Sequence, residues 1–403
     1  MQLRNQTVLI SGGGIAGPAL AYWLHRYGFT PIIVERAPSI RTGGQRIEMS
    51  GVGVEALHRM SLLDRARAVG GPPPNPTFYL GRRNRPVSMV TGGSTTDPQR
   101  AGFAVKRGAL CELLYEHVRD DVEYVFDESV TGITATGDGV EVTFENSPPR
   151  HVDLVIGADG LHSNVRSLVM GSRDDHSHYL GTNLVIFTVD NFLGLRDTMT
   201  WHVWPKRGCA ITTFPGNAEL EGLFLIRSTE PLPVRGMTRD DRVALVEEVF
   251  AGDGWHVPQL LRAMRDARDF HIAPSMQIRM DAWTSGRVAL VGDAGYCPDP
   301  MTGQGTGLAL IGAYTLAGEL NAAKGDHTIA FPAYETATRR FVRNSQSVGK
   351  YSTAFAAPSG GKVRVWLQEQ GTRAFFSLLG VGERLGVPLP AWETDKKLAL
   401  AAY

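Results

Sequence analysis

The sequence predicts an α/β fold in which helices flank a largely parallel sheet and a second, antiparallel sheet is interleaved with the first. Three observations support this prediction. Residues 7–35 pass from strand to glycine-rich turn, helix and strand, and two later segments, residues 153–166 and 286–320, also lead from an apolar strand into a helix. Residues 179–228 alternate apolar and polar residues, as an antiparallel sheet with one exposed face does.

The composition is that of an ordinary globular protein. Of the 403 residues 43% are hydrophobic, enough to bury a large core in two domains or one elaborated domain. The 41 basic and 41 acidic residues cancel, which argues against nucleic acid or a membrane surface as a partner. Cys111, Cys209 and Cys297 are far apart, which argues against a disulfide framework and a zinc site.

The N-terminal segment MQLRNQ leads into an apolar run that is too short for a secretory signal. No later apolar run reaches the ~18 residues of a membrane span. We therefore expect a cytoplasmic protein, as a monomer or a homodimer.

The first element is a strand that leads into a glycine-rich turn. Thr7–Ser11 is aliphatic and β-branched, and Ala16–Tyr27 carries apolar residues at helical spacing. The intervening GGGIAG matches G-x-G-x-x-G, whose glycines permit a tight turn, close approach of the backbone to a pyrophosphate, and close packing of helix on strand. The residues expected to contact the phosphates at this helix N-terminus are Gly12, Gly14, Ile15, Ala16 and Gly17.

The second strand, Thr30–Val34, is followed by an acidic residue, Glu35. This carboxylate lies about 20 residues past the glycine turn, where it can accept hydrogen bonds from a ribose. Because strand, glycines, helix and acid occur at the right intervals, the stretch predicts a site for the ADP half of a dinucleotide rather than an ordinary glycine-rich turn.

A second glycine motif, Gly51–Ala56, serves as a comparison. It matches G-x-G-x-x-A, but the preceding RIEMS is polar and no acid follows at the end of a second strand. We interpret it as a turn that opens a helix, which leaves one convincing dinucleotide site of this type.

Two later strands end in acidic residues. The segment DLVIGADGLHSNVR, residues 153–166, passes from a strand through Asp159 and Gly160 into a helix. Residues 286–320 begin with a strand that ends at Asp293, followed by a proline-containing loop, a Gly-Gln-Gly turn and a long helix. Such a carboxylate can bind the hydroxyls of a ribityl chain, while N–H groups of the next helix face a flavin ring edge. Helix capping is the alternative for both acids, and it stays open for Asp159.

With these three motifs, the chain resembles the flavin-dependent aromatic hydroxylases of the para-hydroxybenzoate hydroxylase type, the class A flavoprotein monooxygenases. It is similar to the branch that includes tetracycline-inactivating and actinobacterial polyketide-tailoring enzymes. The motifs extend over residues 8–320, and their joint order and spacing are more specific than any one of them. The resemblance implies a Rossmann-like FAD-binding domain with an interleaved antiparallel-sheet substrate domain and C-terminal helices.

The resemblance also assigns cofactor contacts to matching positions. In such enzymes the residue at Arg107 usually contacts the flavin, Asp159 belongs to a motif thought to touch both FAD and NAD(P)H, and Asp293 binds ribityl and ribose groups. No catalytic side chain and no metal are implied, because the cofactor performs the chemistry. The implied cofactor-binding residues are Gly12, Gly14, Ile15, Ala16, Gly17, Glu35, Arg36, Gly44, Gln45, Arg46, Arg107, Asp159, Gly160, Gly292, Asp293, Pro300, Gly303, Gln304, Gly305 and Thr306.

The expected domain organisation is discontinuous. The FAD-binding domain comprises residues 1–75, 101–178 and 273–324, the substrate domain comprises a strand pair in 76–100 and a sheet in 179–272, and helices fill 325–403. In the C-terminal part, Phe331–Phe355 and Lys362–Leu385 predict two helices. The resemblance implies that a C-terminal helix braces both domains and borders the substrate opening.

The alternating strands should cover the flavin ring and place the substrate between sheet and ring. Because strand side chains alternate between two faces, about half of the candidates for the pocket wall should point elsewhere. His202 is also a candidate base for a phenol, although a structural histidine is the favoured interpretation. The candidates for the pocket wall are Phe187, Trp201, His202, Trp204, Thr213 and Phe214.

The chain departs from many relatives at two places. Gly-Asp-Ala-Gly-Tyr, ending at Tyr296, replaces Gly-Asp-Ala-Ala-His, and Thr306-Gly307-Leu308 replaces Asn-x-Gly. We interpret Tyr296 as a packed tyrosine with a hydrogen-bonded hydroxyl and Cys297 as a packing residue.

The resemblance implies an FAD- and NAD(P)H-dependent monooxygenase. In the implied cycle, NADPH or NADH reduces FAD, dioxygen forms a C4a-hydroperoxide, and one oxygen atom passes to an aromatic or polyketide-like polycyclic small molecule. Two alternatives stay open: an FAD-dependent dehydrogenase on the same scaffold without oxygen insertion, and a non-enzymatic flavin-binding protein.

Overall fold

The computed structural model describes residues 3–41, 43–73, 75–80, 86–88, 101–172, 174–361, 363–368, 370–371, 374 and 400–403. The strands are β1 (Thr7–Ser11), β2 (Thr30–Glu35), β3 (Arg46–Met49), β4 (Asn75–Leu80), β5 (Pro86–Ser88), β6 (Phe103–Lys106), β7 (Glu123–Phe126), β8 (Val130–Ala135), β9 (Val140–Phe144), β10 (Arg150–Val152), β11 (Leu154–Gly157), β12 (Ser177–Asp190), β13 (Thr198–Trp204), β14 (Arg207–Thr213), β15 (Glu219–Arg227), β16 (His271–Ile278), β17 (Thr284–Ser285) and β18 (Val288–Leu290). The helices are α1 (Ala16–Arg26), α2 (Gly51–Arg59), α3 (Leu63–Ala68), α4 (Arg107–Val118), α5 (Asn164–Val169), α6 (Arg239–Phe250), α7 (Val257–Asp266), α8 (Asp293–Tyr296), α9 (Gly305–Ala322) and α10 (His327–Ala356).

A six-stranded sheet in the order β17-β18-β11-β1-β2-β7 forms the first layer. Its strands are parallel except β17, and β1 lies in the middle, with Ile10 opposite Ile156 on β11 and Ile33 on β2. Strands β1, β2, β11 and β18 are rich in aliphatic residues, whose side chains are buried on both faces of the sheet. Helices α1 and α9 pack together over this core, where Trp23 meets Tyr314 edge to face with ring centroids 4.9 Å apart.

A seven-stranded sheet in the order β16-β12-β15-β14-β13-β4-β5 forms the second layer. One of its faces packs against α6 and α7, where Phe187 and Phe224 join a buried cluster with Val246 and Leu260. Helix α6 begins with a capping box in which Thr238 and Asp241 exchange hydrogen bonds. Helices α6 and α7 were not among the predicted elements, although this capping box is a recognisable signal in the sequence.

The opposite face of this sheet, which we call the apolar face, is directed toward the first layer. Leu184 and Leu225 pack there against Ala356 and Ala357 at the end of α10, with Trp201, Ile186 and Leu223 beside them. Met301, from the loop that precedes α9, belongs to the same cluster. The apolar face therefore lies next to the proline-containing loop of the first layer.

Helix α10 is bonded to both layers. The hydroxyl of Tyr334 donates to the carbonyl of Leu290 on β18 at 2.9 Å, and Gln346 donates to the carbonyl of Ile278 on β16 at 2.6 Å. At the far end Arg227 on β15 donates to the carbonyl of Ala357 at 2.9 Å. One long helix therefore fixes the two sheets relative to each other.

Most predicted elements agree with the structure. The predicted strand at Thr7–Ser11, the helix that follows the glycine turn, the helix at Phe331–Phe355 and the strand pair near Phe78 are confirmed. The Gly51 motif opens α2, as interpreted. Strand β16 belongs to the second sheet and extends to Ile278, past the predicted boundary at residue 272. Of the second predicted C-terminal helix, residues 363–368 are helical and residues 375–385 lie outside the described residues.

Two further findings concern the cysteines and the features expected of membrane spans and metal sites. All three cysteines are buried and free. Within the described ranges, no helix combines the length and the apolar character that crossing a membrane requires, and no three His, Cys, Asp or Glu side chains cluster as metal ligands would.

We predict that Gly208→Ala destabilises the protein. A Cβ at this position of β14 would overlap the carbonyl oxygen of Ala356, so the end of α10 must move off the sheet. Such overpacking costs about 1–3 kcal/mol, and a Tm shift of about 2–4 °C per kcal/mol is typical of domains of about 150–250 residues. Differential scanning calorimetry measures the shift.

Gly254→Ala is the matched control for this substitution. No described atom lies within 4 Å of its Cβ position, and its φ lies outside the left-handed range. Equal Tm values for the two variants would contradict the proposed close contact between α10 and β14.

Candidate functional site

The glycine turn after β1 brings backbone from three elements into contact. The N–H of Gly12 donates to the carbonyl of Val34 on β2 at 2.7 Å, and its φ is +113°. A Cβ on Gly12 would lie 2.5 Å from the carbonyl oxygen of Ala158, and one on Gly17 would overlap the carbonyl oxygen of Gly12. Glycine is therefore required at both positions, which leaves a surface of bare backbone at the start of α1.

The carboxylate of Glu35 lies beside this turn. Its Oε2 accepts a hydrogen bond from the N–H of Gly13 at 2.7 Å, and its Oε1 accepts one from Ala37 at 2.9 Å. Each oxygen retains a lone pair, so the oriented carboxylate can still accept a ribose hydroxyl. The neighbouring Arg36 is exposed.

Arg107, the first residue of α4, reaches the glycine turn from the other side. Its Nη2 lies 3.5 Å from the Cβ position of Gly14, and its N–H donates to the carbonyl of Gln45 at 3.0 Å. Gly44 has a φ of +120°, and its Cβ position is 3.5 Å from the Cβ of Arg107. Residues 44–46, which we call the strap, therefore lie against Arg107.

Asp293 begins α8 directly after Gly292, whose φ is +66°. Its Oδ1 is 3.6 Å from the Cβ position of Gly305, at the start of α9. The Cβ position of Gly292 is 3.3 Å from the Cβ of Ala16, which places Asp293 near the first turn of α1 as well. Burial raises the pKa of the Asp293 carboxyl above its ordinary value, and the positive charge of Arg107 opposes this shift.

A fully buried arginine, Arg166 on α5, fixes the position of this loop. Its Nη1 donates to the carbonyl of Ala294 at 2.6 Å, and its Nη2 donates to the carbonyl of Leu161 at 2.8 Å. The guanidinium therefore joins the Asp159-Gly160 turn to the loop that carries Asp293. Arg166 ends the motif at residues 153–166, but the motif alone predicts no role for it.

Asp159 caps a helix, and one of its oxygens remains free to bind a ligand. Its Oδ2 accepts hydrogen bonds from the N–H groups of Asn164 at 2.7 Å and Val165 at 3.1 Å, in the first turn of α5. Its Oδ1 is buried and has no hydrogen-bond partner among the described residues. Capping and ligand binding, the two alternatives for this residue, are therefore compatible.

The loop from Pro298 to Gly305 is anchored by hydrogen bonds on its buried side and exposed on its other side. Buried Asp299 accepts hydrogen bonds from the N–H of Met301 at 2.7 Å and from the hydroxyl of Ser275. Pro300 and Gly303 are exposed, Gly303 has a left-handed φ of +65°, and no described atom lies within 4 Å of its Cβ position. The polar anchors thus fix the loop while leaving its outer surface free.

Tyr296 is a packed tyrosine, as interpreted from the sequence. It is fully buried, its hydroxyl oxygen lies 2.9 Å from that of Tyr334, and its ring packs on Trp283. Gly312 on α9 leaves room for the hydroxyl, because a Cβ there would overlap it. Burial raises the pKa of Tyr296 to about 12, so it stays protonated at neutral pH.

The candidates for the pocket wall separate by face. Trp201 lies on the apolar face, and Phe214 lies between the layers, with the Nζ of Lys106 4.7 Å from its ring centroid. Phe187 is instead buried among the residues that pack on α6 and α7. His202 stacks on Trp204 with ring centroids 4.0 Å apart, on that same helix-covered side. Thr213 is buried, and its hydroxyl accepts a hydrogen bond from the N–H of Thr198 at 3.0 Å.

This separation corrects the expectation for Phe187, His202 and Trp204. Since β12 and β13 present alternate residues to opposite faces, these side chains point away from the glycine turn. His202 is therefore a structural histidine in an aromatic cluster.

Comparison with known proteins agrees with this geometry. The family model of the FAD binding domain matches residues 5–328. A flavin-dependent monooxygenase of Legionella longbeachae serogroup 1 (strain NSW150) is 31% identical over 398 residues, which cover 97% of this chain and 100% of the relative. The chain belongs to the flavin-dependent monooxygenases.

One further protein sequence and one crystal structure are similar to this flavin-dependent monooxygenase. An uncharacterised protein of Mycobacterium tuberculosis (strain ATCC 25618 / H37Rv) is 42% identical over 345 residues, which cover 85% of this chain and 92% of the relative. The crystal structure of the tetracycline destructase Tet(55) superposes with a TM-score of 0.80 at 31% identity and covers 100% of both chains. The predicted family and fold class are confirmed.

The residues of this monooxygenase fit FAD. The bare backbone at Gly12 and Gly14 suits a pyrophosphate, the oriented carboxylates of Glu35 and Asp293 suit ribose and ribityl hydroxyls, and the open surface of the loop at Gly303 suits a flat ring. The unpartnered Oδ1 of Asp159 is one further acceptor in this cradle. The contacts of individual residues with FAD atoms stay predictions.

We predict that Asp293→Ala weakens FAD binding by roughly tenfold to a hundredfold, because charge-assisted hydrogen bonds contribute about 1.5–3 kcal/mol each. Titration of the apoprotein with FAD, followed by flavin fluorescence, measures the change. Asp281→Ala, at an exposed position, is the control. Unchanged affinity in a folded Asp293→Ala protein would leave Asp293 as a purely structural residue.

Proposed function

We propose that this monooxygenase uses NAD(P)H and dioxygen to hydroxylate an electron-rich aromatic or polyketide-like polycyclic small molecule. The observation that carries the proposal is the position of the apolar face next to the loop at Pro300–Gly305, where Met301 packs against it. A flat, apolar substrate between the apolar face and this loop would lie against the flavin ring that the loop contacts in this proposal. The likeness to a tetracycline destructase supports a polycyclic substrate.

The protein itself binds and orients the cofactor and the substrate and shields them from water. Bound FAD supplies the redox and oxygen chemistry. Glu35, Arg107 and Asp293 hold the cofactor, Arg166 and Asp299 keep its loops in place, and the apolar face excludes water from the reacting ring. This division of labour requires no nucleophile and no metal from the chain.

The nicotinamide is proposed to bind transiently. The second glycine motif opens α2, and a Cβ on its Gly53 would lie 3.2 Å from the Cα of Gly307 on α9, so this motif packs helices together. It therefore offers no second dinucleotide turn, and NAD(P)H must approach across the flavin. Three points stay predictions: the choice between NADPH and NADH, the monomeric or dimeric state, and the route of oxygen transfer.

We predict that Trp201→Ala raises the KM for the aromatic substrate about tenfold with a smaller effect on kcat. Trp201 stacks on Phe78, with ring centroids 6.1 Å apart, and supplies the largest aromatic surface of the apolar face. Thr200→Ala, the adjacent and buried residue, is the control. If Thr200→Ala raised the KM as much as Trp201→Ala, the assignment of the apolar face to the substrate site would be contradicted.

We also predict that product formed under ¹⁸O₂ contains one labelled oxygen atom and that product formed in H₂¹⁸O under ordinary dioxygen contains none. Substrates are found by screening aromatic polyketides, tetracycline and related polycycles for stimulation of NAD(P)H oxidation. Poorly fitting analogues should release more hydrogen peroxide for each NAD(P)H consumed.

The dehydrogenase alternative makes the opposite prediction. Product that forms at the normal rate without dioxygen, given another electron acceptor, would contradict oxygen insertion. Mass spectrometry of the product and an oxygen electrode distinguish the two functions in one preparation.

A further inference from the structure

Glu221 on β15 is a carboxyl group at the junction of the two layers. It points to the same face of the sheet as Leu223 and Leu225, away from Phe224 and the helices α6 and α7. Its Oε2 accepts a hydrogen bond from the N–H of Arg46, in the strap, at 2.8 Å. Glu221 therefore lies between the strap of the cofactor cradle and the apolar face.

One oxygen of this carboxyl remains free. Oε1 of Glu221 has no hydrogen-bond partner among the described residues, although the side chain is partly accessible. The residues beside it on the sheet, Leu223 and Leu225, have apolar side chains that cannot satisfy a carboxyl oxygen. A partly exposed acceptor without a protein partner, set beside an apolar surface, is open to a ligand that brings a hydrogen-bond donor.

The surroundings of this carboxyl make it easy to protonate. Burial, helped by the negative charges of Asp269 and Glu48, raises the pKa of Glu221 to about 7 even though the N–H and guanidinium of Arg46 oppose the shift. A group with this pKa exchanges protons readily near neutral pH. The charged groups around it are Arg46 and Glu48 on β3, Lys106 on β6, Glu219 on β15 and Asp269 before β16.

We propose that Glu221 recognises the substrate by accepting a hydrogen bond, and then the proton, from a phenolic hydroxyl group. This inference rests on the proposed function and narrows its substrate class to phenols, because a carboxylate substrate would be repelled at the same place. It assigns to the apolar face the base that His202 cannot provide.

The step is a proton transfer. The O–H bond of the phenol breaks, its electron pair stays on the phenolic oxygen, and the proton binds Oε1 of Glu221, which becomes a neutral carboxyl group. The resulting phenolate is richer in electrons at its ortho and para carbons, which favours oxygen insertion there. The proton leaves to solvent after the product dissociates.

The test uses the FAD-loaded protein and two probes, 2-naphthol and its methyl ether 2-methoxynaphthalene, with binding measured by calorimetry in the absence of NAD(P)H. We expect wild type to bind 2-naphthol more tightly than the ether. Its affinity for 2-naphthol should rise as the pH increases through about 7, because Glu221 then loses its own proton and becomes the better acceptor.

In Glu221→Gln, affinity for 2-naphthol should fall by roughly tenfold or more, and the rise near pH 7 should disappear. The Gln side chain can still accept the N–H of Arg46, so the strap contact is retained. Glu219→Gln is the matched control on the same strand and face; its partner is Lys106, and its pH profile should remain that of wild type.

Three results would overturn the proposal: no binding of 2-naphthol to wild type, equal binding of the two probes, or an unchanged pH profile in Glu221→Gln. The binding test needs no turnover, so it separates this inference from the proposed function. A protein that passes it but incorporates no ¹⁸O contradicts monooxygenation alone, whereas ¹⁸O insertion that is indifferent to Glu221 contradicts only the role of Glu221.

Discussion

The close contact of the glycine turn with its neighbours is the constraint on which this structure depends. Gly12 touches the end of β11 so closely that a Cβ would lie 2.5 Å from the carbonyl of Ala158, and Gly292 meets Ala16 and Ala309 in the same region. Three strands that are remote in sequence therefore end at one place. The acids that follow these strands, Glu35, Asp159 and Asp293, therefore lie around the glycine turn and the first turn of α1.

The second layer is positioned by polar bonds to this arrangement. Arg166 ties two strand-end loops together, Asp299 fixes the loop that meets the apolar face, and α10 bonds both sheets. The buried arginine and aspartate are costly to desolvate, and their hydrogen bonds offset that cost. The chain thus uses buried polar side chains to fix the loops around the candidate cofactor site.

The sequence predicted what is encoded locally. The glycine turn, its flanking strand and helix, and the acids at strand ends could be found because each has a fixed spacing along the chain. The pairing of β4 with β13 and of β3 with β6 could not, because these contacts join distant segments with no local signal. Alternation showed that Trp201 and His202 point to opposite faces but not which face is covered by helices. Glu221 escaped notice because an acid in a strand becomes informative only once its neighbours are known: Glu219, on the same strand, bonds to Lys106, whereas Glu221 bonds to the N–H of Arg46.

The order of strands in the first sheet has a consequence for how the protein is made. β1 pairs with β11, and β11 pairs with β18, which is encoded after the whole of the second sheet. A ribosome therefore releases β11 long before its partner β18 exists, and the first sheet is completed only after every strand of the second. Asp293 and the first turn of α9, which belong to the candidate cofactor site, also emerge only after the second sheet. A buried apolar strand such as β11 that lacks a partner during synthesis exposes surface that favours aggregation.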